Sequence, residues 1–356
     1  MRVGIVGCGV ISRQYVENAP AFDAFRIVAC ADRAAAAAER LATEQGYAQL
    51  TVEELLADPS IEAVLNLTPP AVHGTVIRAA LAAGKHVYTE KPLAVTTAEA
   101  GELVADARRR GLRLACAPDV FLAGPYQAAR RLIDDGAIGV PLAFSAAMLA
   151  GGQATWHPNP DIFFADGAGP LLDMGPYYLT ALVALLGPVR RVAAFASTRV
   201  DEREILIGPR AGTRFGAETP THTAATLELG DGVTANLTAS FEAEHQDVHD
   251  VLVYGTEGRL SLPDPNGFVG PVLIRTGDGD WNPAPIPPPA PTDGRGIGLQ
   301  DMAEAIAAGA PHRASAELAH HVVDVARSIL LAAAEERTVA VSSSVERPAA
   351  RPQPPV

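Results

Sequence analysis

Apolar positions in the first third of the chain fall into short runs separated by longer stretches with helical spacing. Runs at residues 2–6, 26–31, 63–67, 86–89 and 112–116 are brief and little interrupted by polar residues. Such runs are expected of strands buried on both faces, as in a parallel sheet. Between them, the stretch after Ser12 to about Asn18 and residues 34–45, 51–57, 71–83 and 97–110 carry helical patterns. The last ends in Arg108, Arg109 and Arg110 before Gly111, which suits a helix C-terminus, and Gly84 closes 71–83 in the same way. Strand and helix alternate, so the pattern predicts an α/β domain with a doubly wound parallel sheet.

The pattern changes after Pro118. Residues 121–135 keep helical spacing and close at Gly136. Strands are then predicted at 140–149, 189–199, 221–229, 232–241, 248–255 and 258–262. Many alternate apolar and polar residues, as at 223–229, and Asp231-Gly232 marks a hairpin turn. This predicts an α+β domain with an open, mostly antiparallel sheet. One helix, 170–186, interrupts the strands, and helices 296–308 and 315–336 close the fold. Residues 156–159 are expected to lie in a loop with too little periodicity for an element. Residues 283–293 and the tail from Ser342 are proline-rich and expected to be irregular, the tail frayed. The expected boundaries are 1–118 for the first domain and 119–340 for the second, with its last helices packing back toward the first, then a flexible 341–356.

Composition narrows the function classes. The chain has 356 residues, 48% hydrophobic and 19% charged, enough for two cores. A net charge of -13 disfavours nucleic acid or an anionic membrane as partner. It leaves room for an anionic cofactor held by backbone amides. Cys8, Cys30 and Cys116 show no metal-ligand spacing and suit a reducing compartment. Met1 runs straight into a strand and no apolar run is long enough to span a bilayer, so a cytoplasmic protein is expected.

Candidate chemistry gathers at the carboxyl ends of the predicted parallel strands, where open α/β sheets bind ligands. Gly7-Cys8-Gly9-Val10-Ile11-Ser12 joins the first strand to the first helix, the context of a dinucleotide fingerprint. Gly7 permits the turn, Gly9 lets amides approach a pyrophosphate with Val10 and Ile11 alongside, and Ser12 replaces the third glycine. An ordinary βα turn is the bland alternative. Asp32 ends the second strand about 20 residues on, where a carboxylate accepts ribose hydroxyls and favours NAD. It would equally cap the helix at 34–45. Arg33 could pair with a 2′-phosphate, so NADP stays open. Thr68, Pro69 and His73 lie past the 63–67 strand, and Asn66 at its end, on the same rim. His73 reads as a solvated loop residue or as a cofactor contact.

The strand at 86–89 ends in Glu90-Lys91-Pro92. Proline forces the chain out of the sheet and leaves Lys91 on the rim. A surface ion pair before a turn is the alternative. On the helix predicted at 170–186, Asp173 and Tyr177 are four apart and would share a face. Oxidising a secondary alcohol needs a group that takes the hydroxyl proton. A lysine, at about 10.4, and a phenol, at about 10, are both shifted toward the base form beside a cationic ring. The alternative makes Asp173 a turn cap and Tyr177 a core aromatic. Trp156 and His157 could offer an aromatic face and a hydrogen bond to a sugar, or be a tryptophan staple beside a surface histidine. His245 and His249 are four apart without a third ligand, so no metal site is expected. His222 is expected to be structural, and His320 or His321 to line a core.

Together these residues resemble the Gfo/Idh/MocA oxidoreductases, which include glucose-fructose oxidoreductase, inositol dehydrogenase and dihydrodiol dehydrogenase. The resemblance covers about residues 1–340. It rests on Gly7-Cys8-Gly9, Thr68-Pro69-Pro70 with His73, residues 83–92 through Glu90-Lys91-Pro92, residues 134–139, residues 171–175 around Asp173, and residues 254–258. It implies a Rossmann domain, an open-sheet α/β domain often used for oligomerisation, and reversible oxidation of a sugar or polyol hydroxyl by a nicotinamide cofactor. The family's catalytic lysine maps onto Lys91 and its helix aspartate onto Asp173. Many members carry histidine where this chain has Tyr177; glucose-fructose oxidoreductase and dihydrodiol dehydrogenase look similar in using tyrosine. An arginine-bearing segment common in the family is absent from 118–122. The expected partners are a carbohydrate or polyol substrate and, through the open sheet, a second copy in a homodimer or homotetramer. Two other classes share the resemblance: NAD-dependent glycoside hydrolases that oxidise transiently, and cofactor-sensing regulators that lack the lysine.

Overall fold

The computed structural model describes residues 1–243, 248–286 and 290–352. His245 lies outside them. The chain forms two compact units, the first built on Met1–Ala123 and the second starting at Gly124.

In the first unit β1 (Arg2–Val6), α1 (Val10–Asn18), β2 (Arg26–Ala31), α2 (Ala35–Gln45), β3 (Ala48–Gln49), α3 (Val52–Ala57), β4 (Ala63–Asn66), α4 (His73–Ala82), β5 (His86–Thr89), α5 (Thr97–Arg110) and β6 (Leu114–Cys116) follow in order. The six strands form one parallel sheet, β3-β2-β1-β4-β5-β6. The order reverses between β1 and β4, the switch point beside which such sheets hold ligands. Val3, Ile5, Val64, Leu65, Val87 and Tyr88 have no exposed surface, as continuous apolar strands require. Ile77 and Leu81 of α4 are equally buried, each stabilising by roughly 1.5–3 kcal/mol relative to exposure. Thr51 and Glu54 form a reciprocal cap on α3, and Thr96 caps α5 through the Glu99 N–H.

The second unit contains α6 (Gly124–Asp134), β7 (Pro141–Leu149), α7 (Gln153–Trp156), α8 (Gly169–Asp173), α9 (Gly175–Leu186), β8 (Val189–Ser197), β9 (Glu202–Glu204), β10 (Arg214–Gly216), β11 (His222–Leu229), β12 (Thr234–Ser240), β13 (Val248–Gly255), β14 (Gly258–Leu262), β15 (Leu273–Thr276) and β16 (Asn282–Pro283). Next come α10 (Ile297–Ala308), α11 (Ala316–Glu335) and β17 (Val339–Ala340). α10 and the start of α11 belong to the first unit, and Asp324–Ala350 to the second. Nine strands form one sheet, β16-β15-β14-β13-β7-β12-β11-β8-β17. β12 pairs with β7 in parallel and the other pairs are antiparallel. Phe144, Met148, Leu227, Leu237 and Val251 are buried on one face, which α9 covers in part. Ala193, Phe195, Ala224, Thr226 and Asn236 are exposed on the other.

The structure corrects three local expectations. The helix predicted at 170–186 is two helices, α8 and α9, parted at Met174. Pro176 has no N–H to continue the ladder back to Leu172, so the helix restarts. Trp156 is not in the loop expected at 156–159: it ends α7, and a 3₁₀ turn, Pro160–Phe163, follows. Elements of four residues are too short to show a period. The tail is anchored through residue 348. Ser342 Oγ and the Ser343 N–H donate to Asp324 Oδ2 at 2.8 and 2.6 Å, Arg347 pairs with Asp134 at 2.7 Å, and Arg130 donates to the Pro348 carbonyl at 2.7 Å. Proline content gives no warning of these contacts. No helix of the described residues is long and apolar enough to cross a membrane.

Candidate active site

The turn after β1 carries the first group of candidates. Gly7 has φ of 103°, and a Cβ there would meet the Leu67 carbonyl carbon at 2.6 Å. Only glycine lets the ends of β1 and β4 approach so closely. Gly9 is the N-cap of α1 and supplies no side-chain cap; the space a Cβ would enter is empty. Val10 beside it is 88% exposed, and Ile11 half-buried. With no side-chain cap and open space beside Gly9, the positive end of the α1 dipole fits the diphosphate of a dinucleotide. Ser12 is buried, and its hydroxyl donates to the Gly9 carbonyl at 2.7 Å.

Asp32 ties this turn to the next. Its Oδ2 accepts the Cys8 N–H at 2.7 Å, and its Oδ1 accepts the Ala34 N–H at 2.8 Å. The N-cap of α2 is Ala34, so Asp32 steadies the turn before the helix rather than capping it. Each carboxylate oxygen keeps a lone pair for a ribose hydroxyl. Arg33 is exposed beside it. The three cysteines are free thiols; a hydrogen bond with Cys30 and burial push the Cys8 thiol's pKa up, which makes it a poor nucleophile.

Asn66, at the end of β4, uses its whole carboxamide. Oδ1 accepts from the Thr68 hydroxyl at 2.7 Å and its N–H at 3.3 Å, while Nδ2 donates to Thr89 Oγ1 at 3.0 Å and the His73 carbonyl at 3.4 Å. Pro69 is the N-cap of the 3₁₀ turn Pro70–Val72 that leads into α4. His73 is neither a solvated loop residue nor an open cofactor contact. It is fully buried, with Nδ1 2.7 Å from the Pro92 carbonyl oxygen and Nε2 2.7 Å from that of Thr68. A neutral imidazole donates to one of the two. Burial pushes the ring's pKa down, and the two carbonyls oppose this. His73 therefore bridges the turns after β4 and β5.

The β5 turn is locked on its other side by Glu90. Its N–H donates to the Asn66 carbonyl at 2.9 Å, and its side chain is 7% exposed. Oε2 accepts the Lys91 N–H at 3.1 Å, and the Lys91–Pro92 peptide is cis. The Glu90-Lys91 pair is thus no surface ion pair: the carboxylate is buried and turned back on the backbone. Lys85, six residues earlier, is 6% exposed and its ammonium donates to the Asp58 and Ile61 carbonyls at 2.5 and 2.7 Å. Lys85 and Lys91 are the only lysines among 28 lysines and arginines.

In the second unit Asp173 is the last residue of α8 and Tyr177 the third of α9, so they do not share one continuous helix face. Asp173 is half-buried and Tyr177 is 6% exposed. Tyr178, its neighbour, is committed elsewhere: its hydroxyl lies 2.9 Å from His249 Nδ1 and 3.4 Å from Asp264 Oδ1, and burial pushes its pKa up. Trp156 is 58% exposed and is no buried staple. It forms an aromatic cluster with His157 and Phe163, centroids 5.1–5.6 Å apart. Phe163 carries no periodic signal, because the four-residue turn that holds it is too short for a pattern. Asn66, named only for its position, proved to be the hub of the rim.

Residues 1–117 match an oxidoreductase family with an NAD-binding Rossmann fold, and residues 126–261 match the GFO/IDH/MocA C-terminal domain. The 1,5-anhydro-D-fructose reductase of Ensifer adhaerens is 31% identical, the match covering 74% of this chain and 82% of the relative. The chain belongs to the Gfo/Idh/MocA oxidoreductase family. A second member, the dTDP-3,4-didehydro-2,6-dideoxy-alpha-D-glucose 3-reductase of Streptomyces antibioticus, is also 31% identical, over 74% of this chain and 75% of that one. An NAD-binding oxidoreductase from Klebsiella pneumoniae has the same fold, with TM-score 0.83, 25% identity, and coverage of 97% of this chain and 99% of that chain. As a family member the chain is an oxidoreductase with an NAD-binding Rossmann domain, and the uncapped first turn of α1 beside Asp32 is the part of that domain that suits the cofactor.

Proposed function

We propose that this protein interconverts a secondary hydroxyl of a sugar or polyol with the corresponding ketone. Two relatives named as sugar reductases support the substrate class. The observation that carries the mechanism is the placement of Lys91. The chain uses arginine for nearly every cation, yet keeps lysine at the rim of the cofactor sheet, on a turn fixed by Glu90 and His73. Arginine stays protonated near neutral pH and cannot exchange a proton there; lysine can.

A nicotinamide cofactor, when bound, would supply the hydride chemistry. Gly7, Gly9, Val10 and Ile11 would hold its diphosphate, and Asp32 the adenosine ribose with Arg33 alongside. Thr68, Pro69 and Glu90 would also contribute to holding the cofactor, with His73 supporting them. NAD is the expected cofactor, with NADP second. Lys91 takes the hydroxyl proton in oxidation, returns it in reduction, and holds the reacting oxygen. Tyr177 is assigned to assist proton transfer and Asp173 to orient the substrate, roles that the family resemblance suggests. Trp156 and His157, with Phe163, offer aromatic surface to the C–H face of a sugar ring. The presence of Lys91 disfavours a cofactor-sensing regulator. We assign the protein to the cytoplasm, and to a homodimer or homotetramer through the open sheet. A screen of sugars, polyols and glycosides with NAD and NADP, following the reduced cofactor, tests the reading. Turnover of a sugar or polyol with net reduction of NAD supports it; glycoside cleavage without net redox change contradicts it.

A further inference from the structure

α1 and the Lys91 turn are joined by a buried hydrogen bond between residues 75 apart in sequence. Tyr15 lies on the buried face of α1 and is 1% exposed. Its hydroxyl donates to Glu90 Oε1 at 2.7 Å, while Glu90 Oε2 accepts the Lys91 N–H at 3.1 Å. One carboxylate therefore holds the cofactor helix with one oxygen and the Lys91 peptide with the other. The phenol is well confined. The Tyr88 ring meets it edge-on with centroids 6.3 Å apart, and the Tyr88 hydroxyl is itself fixed on Asp119 Oδ2 at 2.9 Å. Burial, with Glu90 and Asp119 nearby, pushes the Tyr15 pKa up, so the phenol stays a donor.

We infer that Tyr15 is a positioning residue for Lys91: it fixes the Glu90 carboxylate against the Lys91 backbone and so ties the placement of the acid/base to the helix that meets the cofactor diphosphate. The inference rests on the reading of Lys91 as acid/base. Without the hydroxyl, Glu90 Oε1 is left buried without that donor. Such a carboxylate turns toward other donors and releases the Lys91 N–H. A misplacement of about 1 Å at a reacting group costs up to roughly a hundredfold in rate.

Tyr15→Phe, Lys91→Ala and the double variant test this through turnover, NADH affinity by fluorescence, and hydrogen exchange of the peptide spanning Lys91. Tyr15→Phe is expected to lower kcat about tenfold, to leave KM and NADH affinity within about threefold, and to speed exchange of the Lys91 amide about tenfold. In the Lys91→Ala background it should lower kcat no further. Should Tyr15→Phe fold poorly, Glu90→Gln, which puts an amide donor among these donors, should give the same kcat loss and faster exchange. An equal loss of turnover with and without Lys91 overturns the inference, as does a Tyr15→Phe protein with unchanged kcat and unchanged Lys91 exchange. If Lys91→Ala alone keeps full turnover, the acid/base reading fails instead. The amide exchange then still decides whether Tyr15 holds the turn.

Discussion

The Asp32 carboxylate accepts the Cys8 backbone N–H at 2.7 Å, so the residue expected to meet the adenosine ribose is fixed to the turn expected to meet the diphosphate. A negative charge held there repels a 2′-phosphate. Asp32→Ser should shift preference toward NADP by about an order of magnitude or more, since a 1.4 kcal/mol difference is already tenfold. Dissociation constants for NADH and NADPH measure this. Tighter binding of NADPH than NADH by the native protein would show that Arg33, not Asp32, sets the choice.

Acid should destabilise the protein before its carboxylates protonate. Burial holds the pKa values of His73, His86 and His312 below the ordinary 6.5. The unfolded chain then binds protons that the folded chain refuses, so unfolding gains ground as pH falls through about 6.5. Above about pH 7.5 these histidines are neutral in both states and contribute no pH dependence. Melting temperatures across pH 5 to 8 should be flat at the top and fall toward the bottom. A midpoint that rises on acidification through 6.5 contradicts this.

Phe195 is 82% exposed on the uncovered face of the nine-stranded sheet. A large apolar side chain left on an open sheet face is a liability unless a second copy buries it. Sedimentation should find a dimer or tetramer at micromolar protein, and Phe195→Asp should weaken it. A native monomer at that concentration defeats the proposal.

The parallel domain was legible because its signals are local and repeated. Strand runs, glycine stops and the three arginines before Gly111 each mark an element end, and α5 fell at its predicted residues, Thr97–Arg110. The rim was legible for the same reason: Gly7, Asp32 and Lys91 stand where their strands end. What the sequence hid was partnership. Nothing near His73 announces that both ring nitrogens face carbonyls, one of them nineteen residues on. Nothing near Tyr15 points to Glu90. The split of the 170–186 helix was visible in Pro176, but helical spacing on both sides masked it. The short strands β9 and β10 hold three residues each, too few for an alternation to register.

Tyr177→Phe keeps the ring in its buried place at the start of α9 and removes only the hydroxyl. If the phenol assists rather than carries proton transfer, turnover should fall by about tenfold, less than the roughly 10²–10⁴ that a principal acid/base supplies. Steady-state kinetics of both variants on one substrate rank them. A larger loss for Tyr177→Phe than for Lys91→Ala would exchange their roles.

Turnover of Lys91→Ala, measured beside its NADH affinity, tests the central claim most directly. On the proposed reading the phosphate and ribose contacts lie with Gly9 and Asp32, and Lys91 supplies the proton-exchanging group from a turn held by Glu90. The variant should lose roughly 10²–10⁴ in kcat while binding NADH within a few-fold of the native protein, and Lys91→Arg should not restore the rate. Near-native turnover in Lys91→Ala, or full turnover in Lys91→Arg, would contradict the account.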